Sequence, residues 1–299
     1  MVKVALALQN IHLLTGGELA SLLDVAADAD RRGIDHLLLG DHLLMSAAQA
    51  GDYPVKLPVD LDFGQLEPMV LFGATAAVTT RIRLITGIVL GPLRSAPLLA
   101  KQAATLDVVS RGRLDLGLGV GWQEAEYSAS GAPFQGRSGR MEDQIRACRV
   151  LWTEAPASFS SRTVSFEQVY AKPFPVQPGG PPVWFGCNLS ERNLPRVAAL
   201  GDGWIVSGAG DQKSALPANI GKLRQALEAQ GRDPTGFPVS FAVGTRYASK
   251  DEMIAEAREL AAMGATMLSY RPGFTCRTAD ELAQFIDWML ATKDALGGA

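Results

Sequence analysis

The chain has 299 residues, 47% of them hydrophobic and 20% charged, with a formal net charge of -3, which excludes a fibrous, disordered or disulfide-stapled protein. So small a charge points to neither nucleic acid nor an acidic membrane surface as a partner. Cys148, Cys187 and Cys276 are odd in number, far apart and without metal-ligand spacing, so neither a disulfide framework nor a metal site is expected.

In chain order, short β-branched or leucine-rich runs alternate with longer amphipathic segments, the pattern of βα units around a parallel sheet. A strand is expected over 2–8, a helix over 18–32 closed by Gly33, and a strand over 36–40. The stretch 43–65 has few helix signals and reads as an insertion. A helix over 68–80, a strand over 82–90, a helix over 98–109, a strand over 113–120 and a helix over 138–152 follow. A second insertion, 156–181, resembles a small hairpin followed by a Pro/Gly-rich run. The remaining strands are expected at 182–186, 204–207, 239–246 and 266–270, and the remaining helices at 193–200, 216–230, 250–263 and 280–296. Gly201, Gly231 and Gly264 stand where a left-handed C-cap favours glycine, and Thr278 precedes the last helix as a capping box would. Eight strands are the number that closes a TIM barrel. The expectation is an α/β, (β/α)8 TIM barrel over 1–299 as a single domain, with insertions after strand 2 and before strand 5. No apolar run approaches the roughly 20 residues of a membrane span, and Met1 leads into Val2 and Lys3 without a basic leader, so a cytoplasmic location without membrane contact is expected.

Barrel enzymes work at the C-terminal ends of their strands, which narrows the search to short windows. Asp41 and His42 directly follow the second strand. An imidazole there can act as general acid or base near neutral pH, with a loop-capping hydrogen bond as the alternative. His36, at the start of that strand, reads as structural. Gly117, Gly119 and Gly121 alternate at strand spacing, allowing close approach to one face of the fourth strand, by a ligand or by barrel packing. Their order is not the G-x-G-x-x-G dinucleotide fingerprint. Gly186, Cys187 and Asn188 lie ahead of a predicted helix and suit a phosphate, although a plain helix cap would use the same residues. Trp122, Trp204 and Phe185 stand near strand ends where a flat ring could stack but read mainly as core, and Lys101, Arg111 and Arg113 read as solvated surface charge.

Taken in order, several stretches resemble the luciferase-like monooxygenase superfamily, most closely its deazaflavin (coenzyme F-420) dependent oxidoreductases. They are Gly40 to His42, Thr80 to Ile88, Ala100 to Arg113, Gly117 to Trp122, Glu126 with Tyr127, Gly131, Arg137 to Met141, and Gly201 to Trp204. The resemblance implies a TIM barrel with a deazaflavin or flavin ring at its C-terminal mouth. It also implies a non-prolyl cis peptide at Gly87-Ile88, a mouth formed with Thr86, phosphate contacts from Gly121, Trp122, Gly186, Cys187 and Asn188, and an Asp41-His42 pair facing the ring. His42 is then the expected catalytic residue and Asp41 a cofactor contact. Trp122 stands where related sugar-phosphate dehydrogenases carry a glutamate proton donor, which Glu124 or Glu126 could replace. The expected activity is F-420-dependent hydride exchange with a small organic substrate. The alternatives are an FMN-dependent two-component monooxygenase fed by a partner reductase, and a non-catalytic flavin or deazaflavin binder. Family members are commonly homodimers.

Overall fold

The computed structural model describes residues 2–18, 20–48, 65–208, 211–243 and 246–297. Most of the first predicted insertion lies outside them. Among the described residues, eight parallel strands close into a barrel. In order around it they are β1 (Lys3–Ala7), β2 (His36–Leu39), β3 (Arg83–Thr86), β5 (Leu114–Gly119), β8 (Val183–Cys187), β9 (Gly203–Val206), β10 (Val239–Ala242) and β11 (Met267–Tyr270), which pairs back with β1. β4 (Val89–Leu90) continues the line of β3 after a break and pairs with Leu118 and Gly119 of β5. The hairpin β6 (Ala157–Ser160) and β7 (Ser165–Val169) is antiparallel and stands apart from the barrel, as expected for the second insertion.

The helices cover the outside. They are α1 (Ile11–Leu14), α2 (Ser21–Arg32), α3 (Pro68–Val78), α4 (Ala96–Val109), α5 (Glu124–Ala129), α6 (Arg137–Thr153), α7 (Leu194–Leu200), α8 (Gln212–Ala229), α9 (Lys250–Ala262) and α10 (Ala279–Ala295). Strand side chains alternate between two cores. Outward-facing residues such as Leu6, Leu37, Leu84, Leu116, Phe185 and Trp204 pack on the helices. Inward-facing Ala5, Ala7, Leu38, Ile85, Trp184 and Met267 form a smaller cluster inside the barrel. Each fully buried Leu or Phe contributes about 1.5–3 kcal/mol over its exposed form, so these two layers hold the cylinder. No described helix is long and apolar enough to cross a membrane.

Charged residues close the N-terminal end of the barrel. Asp115 accepts Nε and Nη2 of Arg83 at 2.7 and 2.8 Å, and His36 Nε2 lies 3.3 Å away. Burial pushes the Asp115 carboxyl up, but hydrogen bonds from His36 and Arg83 outweigh it and hold the group below the usual carboxylate range. Arg113 is also buried and not solvated surface. Its guanidinium donates to the carbonyls of Ala76, Thr79, Ile82 and Ser110 and to the Thr79 hydroxyl, capping the end of α3.

The predicted punctuation holds at Gly33, Gly231 and Gly264, with φ of 93°, 70° and 103°. The Thr278 hydroxyl accepts the Glu281 N–H at 3.2 Å. Gly201 differs. Its φ is -81°, an ordinary value, and a Cβ there would sit 2.8 Å from the Val197 carbonyl. Close packing, not a left-handed turn, calls for glycine at that position.

Candidate active site at the barrel mouth

The chain leaves β2 through Gly40, where an added Cβ would lie 2.9 Å from Gln9 Nε2 and 3.3 Å from the Gly87 carbonyl. The ends of β1, β2 and β3 therefore converge. Asp41, next in line, turns inward. Its carboxylate accepts the Leu90 N–H at 2.9 Å and two Arg94 nitrogens at 2.6 and 3.3 Å, and its side chain is 0% exposed. Arg94 also reaches Glu67 at 2.7 Å. Burial alone would lower the Arg94 pKa, yet the two carboxylates raise it above the ordinary value. With both oxygens engaged and no exposed surface, Asp41 braces the strand end from behind and is not presented to a ring in the mouth.

His42 is half-buried at the mouth. Its Nδ1 lies 3.0 Å from Glu126 Oε2, and the other oxygen of Glu126 accepts the Leu43 N–H at 2.8 Å. Gln123 lies in the same cluster, accepting the Ser46 N–H at 2.9 Å and donating to Glu126 Oε2 at 3.1 Å. Glu126 and Gln123 are both 0% exposed. The Trp122 ring stands edge-on to His42, with centroids 6.2 Å apart. Glu126 is thus placed behind the imidazole, not free to act as a separate proton donor. Gln123 was not singled out from sequence, since nothing local marks it.

The next stretch of wall, continuing round the barrel from β2, is formed by β3, β5 and β8. The Gly87-Ile88 peptide is cis, as the resemblance implied, and both residues are half-exposed in the mouth. The Thr86 hydroxyl donates to the Gly117 carbonyl at 2.7 Å, tying β3 to β5 below the cis bond. A Cβ on Gly117 would fall 1.8 Å from the Thr86 carbonyl, one on Gly119 2.7 Å from Ile88 Cδ1, and one on Gly186 2.3 Å from Ile88 Cγ2. Gly119 and Gly186 therefore leave room for Ile88, which lies across β5 and β8 as the floor, while Gly117 lets the Thr86 carbonyl approach. Gly121 has φ of 67°, and its carbonyl accepts Arg137 Nε at 3.4 Å. Among the described residues no carboxylate pairs with Arg137, which stacks 3.7 Å from the Phe134 centroid. That leaves a cation beside Gly121.

The segment Gly186 to Asn188 is not the N-terminus of a helix. α7 begins six residues beyond Asn188, spans only 7 residues and carries Pro195 in its first turn, and the Leu194 N–H is already donated to the Ser190 carbonyl. Asn188 Oδ1 accepts from Asn193 Nδ2 at 3.0 Å. The Cys187 carbonyl accepts Trp204 Nε1 at 2.8 Å, and burial pushes the Cys187 thiol up to about 12, so this sulfur is no nucleophile at neutral pH. Trp204 and Phe185 are core, at 0% and 2% exposure.

A flat heterocycle suits this mouth. Its floor is Ile88 between glycines, and at the end of β1 Gln9 Oε1 and Asn10 Oδ1 are buried without a hydrogen-bond partner among the described residues. Such acceptors fit the ring N–H that flavins and deazaflavins share. Among the described residues no cluster of three or more His, Cys, Asp or Glu side chains could hold a metal. A separate groove of about 670 Å³, lined by Arg149, Gly180, Asp202 and Arg232, lies near the N-terminal ends of β8 and β9 and shares none of these groups.

Barrel and mouth together suit an oxidoreductase that seats a flat ring cofactor. The sequence pattern of the luciferase-like monooxygenases matches residues 2–292, and the chain belongs to that enzyme family. An uncharacterised protein of Mycobacterium tuberculosis (strain ATCC 25618 / H37Rv) is 31% identical over 268 residues, spanning 88% of this chain and 90% of that one. An FMNH2-dependent dimethylsulfone monooxygenase of Pseudomonas putida is 27% identical over 233 residues, 77% of this chain and 60% of that one. Among solved structures, an F420-dependent secondary alcohol dehydrogenase superposes with a TM-score of 0.79 over 98% of both chains. At 15% identity that likeness speaks for the fold alone.

Proposed function

We propose that the protein is a coenzyme F-420-dependent oxidoreductase that moves a hydride between the deazaflavin and a small organic substrate. The observation that carries the reading is His42 at the end of β2, on the strand next to the one that leads into the Gly87-Ile88 floor, with a carboxylate behind it. The ordered stretches of sequence that resemble the F-420 enzymes support the same cofactor. When bound, the deazaflavin supplies the carbon that accepts or gives the hydride. The protein supplies the rest. Ile88, Gly119 and Gly186 seat the ring, Gln9 and Asn10 offer acceptors to its N–H, and Arg137 beside Gly121 offers positive charge to a phosphate. His42 takes or returns the proton that accompanies the change at the substrate, and Trp122 limits water around the imidazole.

The dimethylsulfone monooxygenase relative supports a second reading, an FMN-dependent monooxygenase supplied by a partner reductase. Titration of the purified protein with each cofactor separates the two. Micromolar binding of F-420 with much weaker binding of FMN is the expected result. Micromolar FMN without F-420 binding, together with oxygen consumption that depends on reduced FMN, would replace the first reading by the second.

A homodimer through α3 and α4 belongs to the same proposal. α3 buries Met69, Leu71 and Phe72 yet exposes Val70 at 72%, and adjacent α4 exposes Leu98 at 49% and Val109 at 54%. A helix apolar on both faces is suited to burial on both.

A further inference from the structure

We infer that Glu126 is a positioning residue that sets the tautomer of His42, with Gln123 supporting Glu126 and the loop, so that the proton sits on Nδ1 and the Nε2 lone pair is the working atom. This inference rests on the proton-handling part assigned to His42 above, but its geometry stands by itself. The assignment follows from the contacts of Nδ1 with two side chains, Glu126 and Gln123, that have no surface to share with water. The Ser46 N–H points at Gln123 at 2.9 Å, so that atom is the amide oxygen and the other is the NH2 group. That NH2 lies 3.1 Å from Glu126 Oε2, 3.3 Å from the Leu44 carbonyl and 3.2 Å from His42 Nδ1. Met45 Sδ is also in reach, at 3.3 Å, so the two hydrogens of the NH2 have the carboxylate, the carbonyl and the sulfur to go to without calling on Nδ1. Glu126 Oε1 accepts the Leu43 N–H, and Oε2 stands 3.0 Å from His42 Nδ1. The Nδ1–Oε2 contact is the shorter of the two that Nδ1 makes, and two atoms that both carry lone pairs need a hydrogen between them, which the ring supplies if Nδ1 is protonated and donates to Glu126. Were Nδ1 bare, it would set a lone pair 3.0 Å from an oxygen of a fully buried carboxylate, which is repulsive.

The same two side chains bind the loop after β2 to the loop between β5 and α5 through the backbone of Leu43, Leu44 and Ser46. Ring and loop are therefore held together, as a proton-transfer group needs if it is to meet a substrate at one distance. Among the described residues Nε2 has no partner, and it is the nitrogen left to face a ligand.

The test is nitrogen NMR on 15N-histidine-labelled protein without cofactor. The chain has three histidines, His12, His36 and His42, and a His42→Gln variant identifies the signals of the third. At a pH where the ring is neutral, His42 should show a protonated Nδ1 and a bare Nε2. Glu126→Gln should reverse this. Its amide oxygen must serve the Leu43 N–H, its NH2 then faces Nδ1, and the proton moves to Nε2. Glu126→Asp, which keeps a carboxylate, and Gln123→Ala, which leaves Glu126 in place, should retain the Nδ1–H form. A wild-type Nε2–H form, or an unchanged tautomer in Glu126→Gln, would overturn the inference. Should Glu126→Gln fail to fold, the wild-type and Gln123→Ala spectra still decide it.

In the loaded enzyme, Glu126→Gln should lower kcat at least tenfold and alter its pH profile, with cofactor affinity little changed. Unaltered turnover in His42→Gln would remove the proton-handling reading while the tautomer result stood.

Discussion

Arg94 and Asp41 meet at 2.6 Å with side chains 6% and 0% exposed, linking the end of β2 to the segment that follows β4 across the back of the mouth. A pair this buried adds little compared with an apolar packing of the same shape, but losing one partner strands the other charge. Arg94→Met should therefore destabilise the protein by about 3–5 kcal/mol, read as a lowered urea midpoint. It should also disorder the loop that carries His42. A change within 0.5 kcal/mol, the usual scatter of surface substitutions, would show that the pair does not brace the mouth.

His42→Ala tests the division of labour at the rim. General acid–base groups contribute about 10²- to 10⁴-fold, so turnover should fall by that range. The seat for the ring is made by Ile88 and glycines, so the cofactor dissociation constant should change by less than about threefold, a free-energy difference under 1 kcal/mol. Parallel losses of binding and turnover would place His42 in the seat instead.

Asp30 predicts an acid-labile joint in the scaffold. At the end of α2 its carboxylate accepts the N–H groups of Thr80, Arg81 and Ile82 at 2.8, 3.0 and 2.7 Å. Burial raises its pKa, but the three backbone donors and the Thr80 hydroxyl outweigh that and bring it below the ordinary value. The unfolded chain, titrating near pH ~3.9, therefore takes up the proton first as pH falls. The stabilisation is complete above that pH and is lost as pH drops toward the lower folded value. Asp30→Ala should cost about 2–3 kcal/mol at pH 7 and flatten the acid limb of the stability profile below pH ~4. An acid limb identical to wild type would remove Asp30 from this account.

The glycines of β5 and β8 give predictions of different kinds. At Gly117 an added Cβ meets a carbonyl oxygen in the adjoining strand line at 1.8 Å, so backbone must move. Gly117→Ala should lose about 1–3 kcal/mol or more of stability. At Gly186 the clash is with the Ile88 side chain, which can rotate away. Gly186→Ala should keep most stability and weaken cofactor binding, because the floor itself shifts. Thermal melts and cofactor titrations on both variants separate the two outcomes. Equal binding by Gly186→Ala and wild type would show that Ile88 does not form the seat.

Much of this was legible in the linear chain because it is written in local periodicity. All eight barrel strands fall where short apolar runs predicted them, and helix ends follow Gly33, Gly231, Gly264 and Thr278 because caps depend on one residue and its immediate neighbours. Local reasoning erred where a residue answers to distant atoms. Gly201 reads as a left-handed cap but is kept small by Val197 and Phe185. Arg113 reads as surface charge but enters the barrel wall to cap a helix more than thirty residues earlier. The segment Gly186 to Asn188 reads as a helix start, whereas the first turn of α7 is displaced and contains a proline.

Strand and helix order, the count of eight, the glycine alternation on β5 and the presence of a histidine at the end of β2 were determined by the sequence itself, since each rests on spacing along one chain. The tertiary structure decided which way Asp41 turns, what lies behind His42 and what fills the space left by Gly119 and Gly186. Glu126 reaches His42 across 84 residues and Arg94 reaches Asp41 across 53. Such contacts exist only once the barrel has closed and brought the strand ends together. Their strength, moreover, comes from the exclusion of water that closure imposes.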